Sequence, residues 1–176
     1  NVDSGVSKKL SEKPPEDYVP PIIKEKNIFE VNINRDNDLL VEGERMDIKD
    51  LREAAISFID NGGGDGKIDE GVPTGPCNYC KGEKSISSSD HPNKAIISVQ
   101  SDRGTEYGTY LKVQNELIRA YSVLRNRLSK ERYGIAFPEL EESYKEDRSN
   151  VSLKEKVEDI KRCYPEIISD AEPTSN

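Results

Sequence analysis

The clearest structural signal in this sequence is residues 110–128, YLKVQNELIRAYSVLRNRL. Apolar and aromatic side chains recur in it at steps of three and four residues, at Tyr110, Val113, Leu117, Tyr121, Leu124 and Leu128. This period predicts an amphipathic helix that buries one face. Leu111 and Ile118 widen the apolar stripe, so we expect a core helix of about 25 residues.

Four segments around this helix have the pattern of β-strands. In residues 27–34, Phe29, Val31 and Ile33 alternate with polar residues, which predicts a half-buried strand. The run 36–38 supplies turn residues before a second strand, Leu39–Val41. If Ile33 and Val41 share the buried face, the hairpin loop has an odd number of residues, which favours three. Residues 95–100 are apolar on both faces and predict a central strand, and residues 166–171 predict a final one.

Three further helices complete the predicted order. Asp47 is a suitable N-cap for a helix whose apolar face holds Ile48, Leu51, Ala55, Phe58 and Ile59. Pro138 begins a second helix that extends to about Lys145, and Ser152 with Glu155 has the capping-box spacing of a third. We therefore predict an α+β domain: a small mixed β-sheet with two main helices packed on one face, plus a C-terminal helical extension before the last strand.

Proline and glycine divide the chain into a linker, a domain and an insertion. Residues 1–26 hold four of the ten prolines and predict a flexible Pro-rich linker, followed by a domain over 27–173. Within it, residues 61–94 hold seven of the twelve glycines and predict an inserted loop. The only apolar cluster of the linker, 19–23, either packs on the domain or binds a partner through Ile22 and Ile23.

Composition argues against several classes of function. The net charge of −8 disfavours nucleic-acid binding and docking on anionic lipid. The longest apolar stretches are far shorter than the roughly 20 residues of a membrane span, so we expect neither a transmembrane helix nor a signal peptide in these 176 residues. The single histidine, His91, lies among loop formers and predicts a solvated side chain. Lys67 is followed by Ile68, which does not fit a phosphate-binding loop. We expect no enzyme activity and no cofactor.

Two segments partly imitate metal sites. Cys77 and Cys80 have the spacing shared by zinc and redox motifs, but a zinc site needs four ligands, and the remaining candidates are Asp90, His91 and Cys163. A local disulfide between Cys77 and Cys80 is favoured in an oxidising compartment, and zinc or two free thiols are the alternatives. Residues 61–72 follow part of a calcium loop, with Asn at its first position and Val at its last, so we expect no calcium.

One combination of motifs resembles a known family. Residues 100–107, QSDRGTEY, lead into 111–117, LKVQNEL, and they follow the strand-like segments 27–34 and 39–44 and the helix start at 46–48. The chain then ends with YPEIISDAEP at 164–173. Over residues 22–60 and 94–173 this order resembles the periplasmic domain of ExbD/TolR biopolymer-transport proteins, most closely the longer ExbD-like proteins of Bacteroidetes. Taken as local structure, Asp102 and Thr105 are ordinary helix-capping residues.

The resemblance implies a role in energy transduction across the cell envelope. Such proteins are anchored in the inner membrane by one N-terminal helix with a proton-responsive Asp, which this chain lacks, and the segment here would be periplasmic. They work with an ExbB-like channel protein and a TonB-like protein to power outer-membrane transport. The alternative is a TolR-like module that binds peptidoglycan or Tol partners. A metal-sensing module built on the cysteine loop is a third possibility.

The predicted contacts are with proteins. Unpaired edges of a small sheet favour a homodimer through a sheet edge or the C-terminal strand. The residues that we expect to contact partners are Ile22, Ile23, Asp102, Tyr107, Ile167 and Ile168.

Overall fold

The computed structural model describes residue 17 and residues 23–65, 68–69, 72–73 and 76–172. Most of the predicted linker, including Ile22, lies outside the described residues. The elements, in chain order, are β1 (Ile28–Ile33), β2 (Leu39–Val41), β3 (Glu44–Met46), α1 (Ile48–Ile59), β4 (Ile68–Asp69), β5 (Val72–Pro73), β6 (Ile96–Ser101), α2 (Tyr107–Tyr133), α3 (Phe137–Glu146), α4 (Val151–Cys163) and β7 (Ile168–Asp170). None of the described helices combines the length and apolarity needed to cross a bilayer.

Five strands form one mixed sheet in the order β3-β2-β1-β6-β7. The β1–β2 and β2–β3 pairs are antiparallel, whereas β6 runs parallel to both β1 and β7. The predicted α+β fold is therefore confirmed, and the apolar segment 95–100 does form a central strand.

The first hairpin has the predicted three-residue loop. The Asn34 N–H donates to the Asp38 carbonyl (3.0 Å), so residues 35–37 make the turn, and Asn37 takes the left-handed conformation at φ 65°. A type I turn closed by one left-handed residue is a common three-residue hairpin loop. Ile33 and Val41 are both buried, as the odd loop length requires.

Strand β3 was not predicted. Glu42 and Gly43 both have positive φ (54° and 82°) and form the tight two-residue turn that pairs Val41 with Glu44. The first two residues of β3, Glu44 and Arg45, are exposed, so the strand has no apolar alternation that would identify it.

The core lies between one face of the sheet and helices α1 and α2. Phe29, Val31 and Ile33 of β1 are buried on this face, and Phe29 stacks on Phe58 of α1 with ring centroids 5.1 Å apart. The alternate residues of β1, such as Glu30, face away and are not buried. Arg52 of α1 forms an ion pair with Glu116 of α2 (2.9 Å) at the margin of the helix pair.

Two predictions about the helices are wrong. Leu111 and Ile118 do not belong to the buried stripe of α2, since they are 41% and 42% exposed. They lie on the flank of the helix. A period of three and four residues does not distinguish flank positions from positions at the centre of the buried face. The predicted capping box of Ser152 is also absent, because Asn150 caps α4 by accepting a hydrogen bond from the Leu153 N–H (3.1 Å).

Candidate functional site

The described part of the predicted insertion is held against the domain by polar side chains. Asn61, at the end of α1, is buried, and its amide nitrogen donates to the carbonyls of Ser85 (2.9 Å) and Ser89 (2.7 Å). Its amide oxygen accepts from the Ser85 N–H (3.0 Å). The first position of the calcium-like segment is thus occupied by internal hydrogen bonds. The described residues contain no group of three or more side chains placed to hold a metal ion.

A second anchor joins this segment to the start of the sheet. Asn27 exchanges two hydrogen bonds with Asp90, one from its amide nitrogen to the carboxylate (3.1 Å) and one from the Asp90 N–H (2.8 Å). Lys26 adds an ion pair to Asp90 at 2.5 Å. Burial alone would raise the pKa of Asp90, but the hydrogen bonds from Lys26 and Asn27 hold that pKa below its ordinary value. Asp90 is therefore a structural carboxylate.

Cys77 and Cys80 form a disulfide in the structure, with an S–S distance of 2.06 Å. Both cysteines are buried and their sulfurs are bonded to each other, so neither offers a thiolate to a metal in this state. Tyr79, between them, donates its hydroxyl to the Cys163 carbonyl (2.9 Å) and packs edge-on against Tyr164 at 5.4 Å. The disulfide thus fixes a loop whose aromatic residue covers the junction of α4 and β7.

Reduction of this disulfide is expected to lower the free energy of unfolding by about 2 kcal/mol, because even a short closed loop restricts the unfolded chain. Urea unfolding with and without a phosphine reductant measures the change, and the Cys77→Ala, Cys80→Ala double variant should match the reduced protein. As a control, the reductant should leave the double variant unaffected. An unchanged unfolding midpoint for the fully reduced wild-type protein would contradict the expectation.

His91 is half-buried, so the prediction of a solvated loop histidine is wrong. Its Nδ1 accepts a hydrogen bond from the Asn93 N–H (3.1 Å), and its Nε2 lies 3.5 Å from the Tyr79 hydroxyl. Burial lowers the pKa of His91 from its usual value, which favours the neutral imidazole. We interpret it as a packing residue beside the disulfide loop.

Beneath this loop, Asp60 is the centre of a buried polar network. Its carboxylate accepts hydrogen bonds from the Tyr164 hydroxyl (2.5 Å), Arg127 (2.9 Å) and the Lys81 N–H (3.0 Å). Burial, followed by the hydrogen bond to Asp60, raises the pKa of Tyr164 above its ordinary value. The network connects α1, α2, the disulfide loop and the end of α4. Asp60 and Tyr164 are buried in it, and the Arg127 side chain is 27% exposed.

A cleft of about 460 Å³ lies at the carboxyl ends of β6 and β7, beside the start of α2. The turn 102–105, which contributes to its lining, is hydrogen-bonded to β1. The Asp102 N–H and the Thr105 hydroxyl both donate to the Ile33 carbonyl (2.9 and 3.1 Å), and the Asp102 carboxylate accepts from the Gly104 N–H (2.8 Å). The interpretation of Asp102 and Thr105 as helix caps is wrong, because the N-cap of α2 is Glu106.

Two tyrosines and a second carboxylate complete the cleft. Tyr107 is 72% exposed and stacks on Tyr110 with ring centroids 6.2 Å apart. The Tyr110 hydroxyl (2.9 Å) and the Gln114 amide (2.7 Å) both donate to Oδ1 of Asp170, on β7. Burial and then the bond to Asp170 raise the pKa of Tyr110. This arrangement can bind a group that carries hydrogen-bond donors or positive charge.

The structure brings some of the predicted contact residues together and separates others. Asp102 and Tyr107 line the cleft, and Ile168 belongs to β7 at its edge. Ile167 precedes β7, where its carbonyl accepts from the Ile97 N–H (2.9 Å). Ile23 is 53% exposed but precedes β1, at the opposite end of the parallel strands.

The sequence does not identify Tyr110 and Asp170, which line the cleft, or Gln114, which bonds to both. The apolar period places Tyr110 in the buried stripe, and no motif marks Gln114 or Asp170. The one sequence signal that Tyr110 could contribute to a polar site is its hydroxyl at the end of an otherwise apolar stripe. No sequence spacing links Gln114 with Asp170, since they meet only through the fold.

The cleft adjoins the outer edge of the sheet. Among the described residues, β7 has one strand neighbour, β6, and no strand pairs with its other edge. Gln114 touches Asp170, and Leu111 and Ile118 are its neighbours on the same side of α2, three residues before and four after. Helical spacing therefore places two exposed apolar side chains on the side of α2 that contacts β7 through Gln114 and Asp170.

A larger groove of about 720 Å³ lies at the other end of the sheet, between the start of β1, α1 and the segment 82–88. Ile28 and Phe58 contribute its apolar lining, and Glu25 and Glu83 contribute carboxylates. Of the described residues predicted to contact partners, none lines this groove, although Ile23 lies two residues before Glu25.

No protein-family model matches this chain, and no curated protein matches it either. The assignment of the candidate site therefore rests on the geometry of the cleft and of the adjoining sheet edge.

Proposed function

We propose that this domain is a protein-binding module, without catalytic activity, of a proton-motive-force-driven complex of the ExbB/ExbD/TonB type. The observation that carries the proposal is the cleft beside the unpaired edge of β7. Leu111 and Ile118 are exposed, and helical spacing places them on the side of α2 that contacts β7 through Gln114. The resemblance of residues 100–117 to ExbD-like proteins supports the type of complex.

The edge of β7 is suited to pair with an added strand. The Ile167 carbonyl and the Ala171 N–H bond to β6. Because backbone groups alternate in direction along a parallel strand, those of Ile168 and Asp170 are directed away from β6. An edge strand of this kind can bind an extended segment of another chain through main-chain hydrogen bonds. Leu111 and Ile118 would then pack against apolar side chains of that segment.

Two kinds of partner fit this edge. A TonB-like protein would supply an extended segment, and an ExbB-like channel would join the complex through the inner-membrane anchor that the resemblance implies. A second copy of this chain would instead pair β7 with β7 and form a homodimer. Both uses need the same edge, so self-association at β7 and binding of a segment there would exclude each other.

The proposal is tested by placing charge on the flank of α2. In the full-length protein, Leu111→Glu with Ile118→Glu should abolish growth that depends on TonB-type outer-membrane uptake, because it leaves charged groups at the apolar part of the contact. The matched control is Val123→Glu, since Val123 is a similarly exposed residue of α2 (45%) and lies elsewhere on the helix surface.

Circular dichroism of the purified domains should show the same melting temperature for wild-type protein and both variants. Normal uptake by a stably produced Leu111→Glu, Ile118→Glu protein would contradict the proposal.

A second candidate is a TolR-like module that binds peptidoglycan. The exposed face of Tyr107 favours it, because an aromatic ring beside carboxylates can pack on a sugar ring while the carboxylates accept hydroxyl hydrogen bonds. Cosedimentation with purified peptidoglycan tests it. Binding that is lost in Tyr107→Ala and retained in Leu111→Glu, Ile118→Glu would favour this candidate over the first.

A further inference from the structure

We propose that the cleft beside β7 receives a lysine or arginine side chain of the segment that pairs with this strand. This inference rests on the proposed function and gives the partner a chemical signature: one basic residue in an otherwise apolar or neutral strand.

The first support is the charge of Asp170. Two neutral groups, the Tyr110 hydroxyl and the Gln114 amide, donate to its Oδ1, and no described residue donates to its Oδ2. Within the described part of the chain no lysine, arginine or histidine lies within 4.0 Å of this carboxylate. Asp170 therefore holds a fixed orientation at the exposed edge of the sheet, and it has no ion-pair partner among the described residues.

The second support is the pair of tyrosine rings. Tyr107 and Tyr110 are stacked at the same cleft, and Tyr107 is largely exposed. A cation over a tyrosine face is attracted by the ring quadrupole, and an adjacent carboxylate adds an ion pair. A neutral apolar side chain would use the rings but would leave the charge of Asp170 without a partner.

The other carboxylate of the cleft limits the number of cations to one. Oδ1 of Asp102 accepts from the Gly104 N–H and lies 3.8 Å from Nε of Arg35. Arg103 also lines the cleft and contributes positive charge there. Asp102 thus already faces a cation, so Asp170 is the position that a single incoming basic group would compensate.

The sheet register states where that basic residue must lie in the partner. Asp170 aligns with the buried Val99 and bonds to α2, so it is on the helix-facing side of the sheet. A strand paired with β7 places every second side chain on this side. The basic residue therefore belongs to the helix-facing set, and a residue two positions from it, nearer Ile168, would face the flank of α2 and should be apolar.

The test uses capped octapeptides of alternating valine and threonine. In each peptide one of the four valines is replaced by lysine, and a matched peptide carries norleucine at the same position. Binding to the ¹⁵N-labelled chain is followed by NMR through the amides of residues 107–118 and 168–171. We expect at least one lysine peptide to bind about tenfold more tightly than its norleucine match at low salt. The difference should shrink at high salt.

Two variants of the chain make the test specific. Asp170→Asn keeps an acceptor for Tyr110 and Gln114 and should remove the difference between lysine and norleucine peptides. Glu172→Gln removes a nearby carboxylate that does not line the cleft and should leave the difference intact.

The outcomes separate this inference from the proposed function. If norleucine and lysine peptides bind alike and shift the β7 amides, the basic signature is wrong and strand addition stands. If no peptide shifts those amides, both are overturned. If a chitin oligosaccharide shifts Tyr107 while the lysine peptides do not, the cleft takes a glycan and the inference fails.

Discussion

Replacement of Leu117 by alanine is expected to lower the free energy of unfolding by about 3 kcal/mol. Leu117 is fully buried in the core between α2 and the rest of the domain, so truncation removes apolar contacts and leaves a cavity that the surroundings fill only in part. Urea unfolding followed by circular dichroism measures the change.

The matched control is Leu111→Ala, which makes the same substitution on the same helix. Leu111 is 41% exposed, so its replacement should lower the free energy of unfolding by less than about 1 kcal/mol. Both variants gain the higher helix propensity of alanine, so the difference between their losses reports burial alone. Equal losses of unfolding free energy at Leu117 and Leu111 would show that the flank of α2 is buried. The proposed function would then lack the exposed apolar surface on which it depends.

Asp60→Ala is expected to lower the free energy of unfolding by about 3 kcal/mol as well, for a different reason. The substitution removes the 2.9 Å ion pair of Arg127, which among the described residues keeps only a longer one to Glu131 (3.8 Å), and it leaves the buried Tyr164 hydroxyl without its acceptor. Unpaired polar groups that stay buried keep their desolvation cost. Asp60→Asn, which preserves an acceptor, should lose less.

Glu141→Ala is the control for Asp60→Ala, because Glu141 and Lys161 form an exposed ion pair at 3.6 Å that contributes little. Thermal and urea unfolding should place this variant within about 0.5 kcal/mol of wild type. A loss at Asp60 no larger than at Glu141 would mean that the buried network does not stabilise the fold.

The sequence predicts those elements whose apolar period reports directly on burial. The β1–β2 hairpin, α1 and α2 each place apolar residues on one regular face, the segment of β6 is apolar on both faces, and the structure contains all of these elements. Strand β3 is formed by a tight turn and main-chain pairing with β2, and its exposed Glu44 and Arg45 leave no periodic signal. Leu111 and Ile118, at the flank of α2, fit a helical period and are still exposed. The period shows which way the apolar face points, but not how much of that face neighbouring elements bury.

The segment 61–94 and the cleft were harder to predict because they depend on polar side chains. Glycine and serine predict a loop, whereas the order of this segment comes from single hydrogen bonds such as those of Asn61. Asp102 and Tyr107 were predicted as contact residues because both lie in the short segment 100–107 that carries the family resemblance. Gln114 and Asp170 are 56 residues apart, and only the parallel pairing of β6 with β7 brings them together.

The position of β6 in the middle of the sheet has a consequence for the order of folding. As the chain is synthesised, β1, β2, β3 and α1 can associate early, but the pairing of Ile28 with Ile96 must wait until a long intervening segment has emerged. Such distant parallel pairing is slow because loop closure precedes any contact that stabilises it. The strand that carries Asp170 is added only after β6 is in place. The cleft is therefore the last surface to be completed, and a chain truncated before Ile168 would retain its first hairpin without β7 and its unpaired edge.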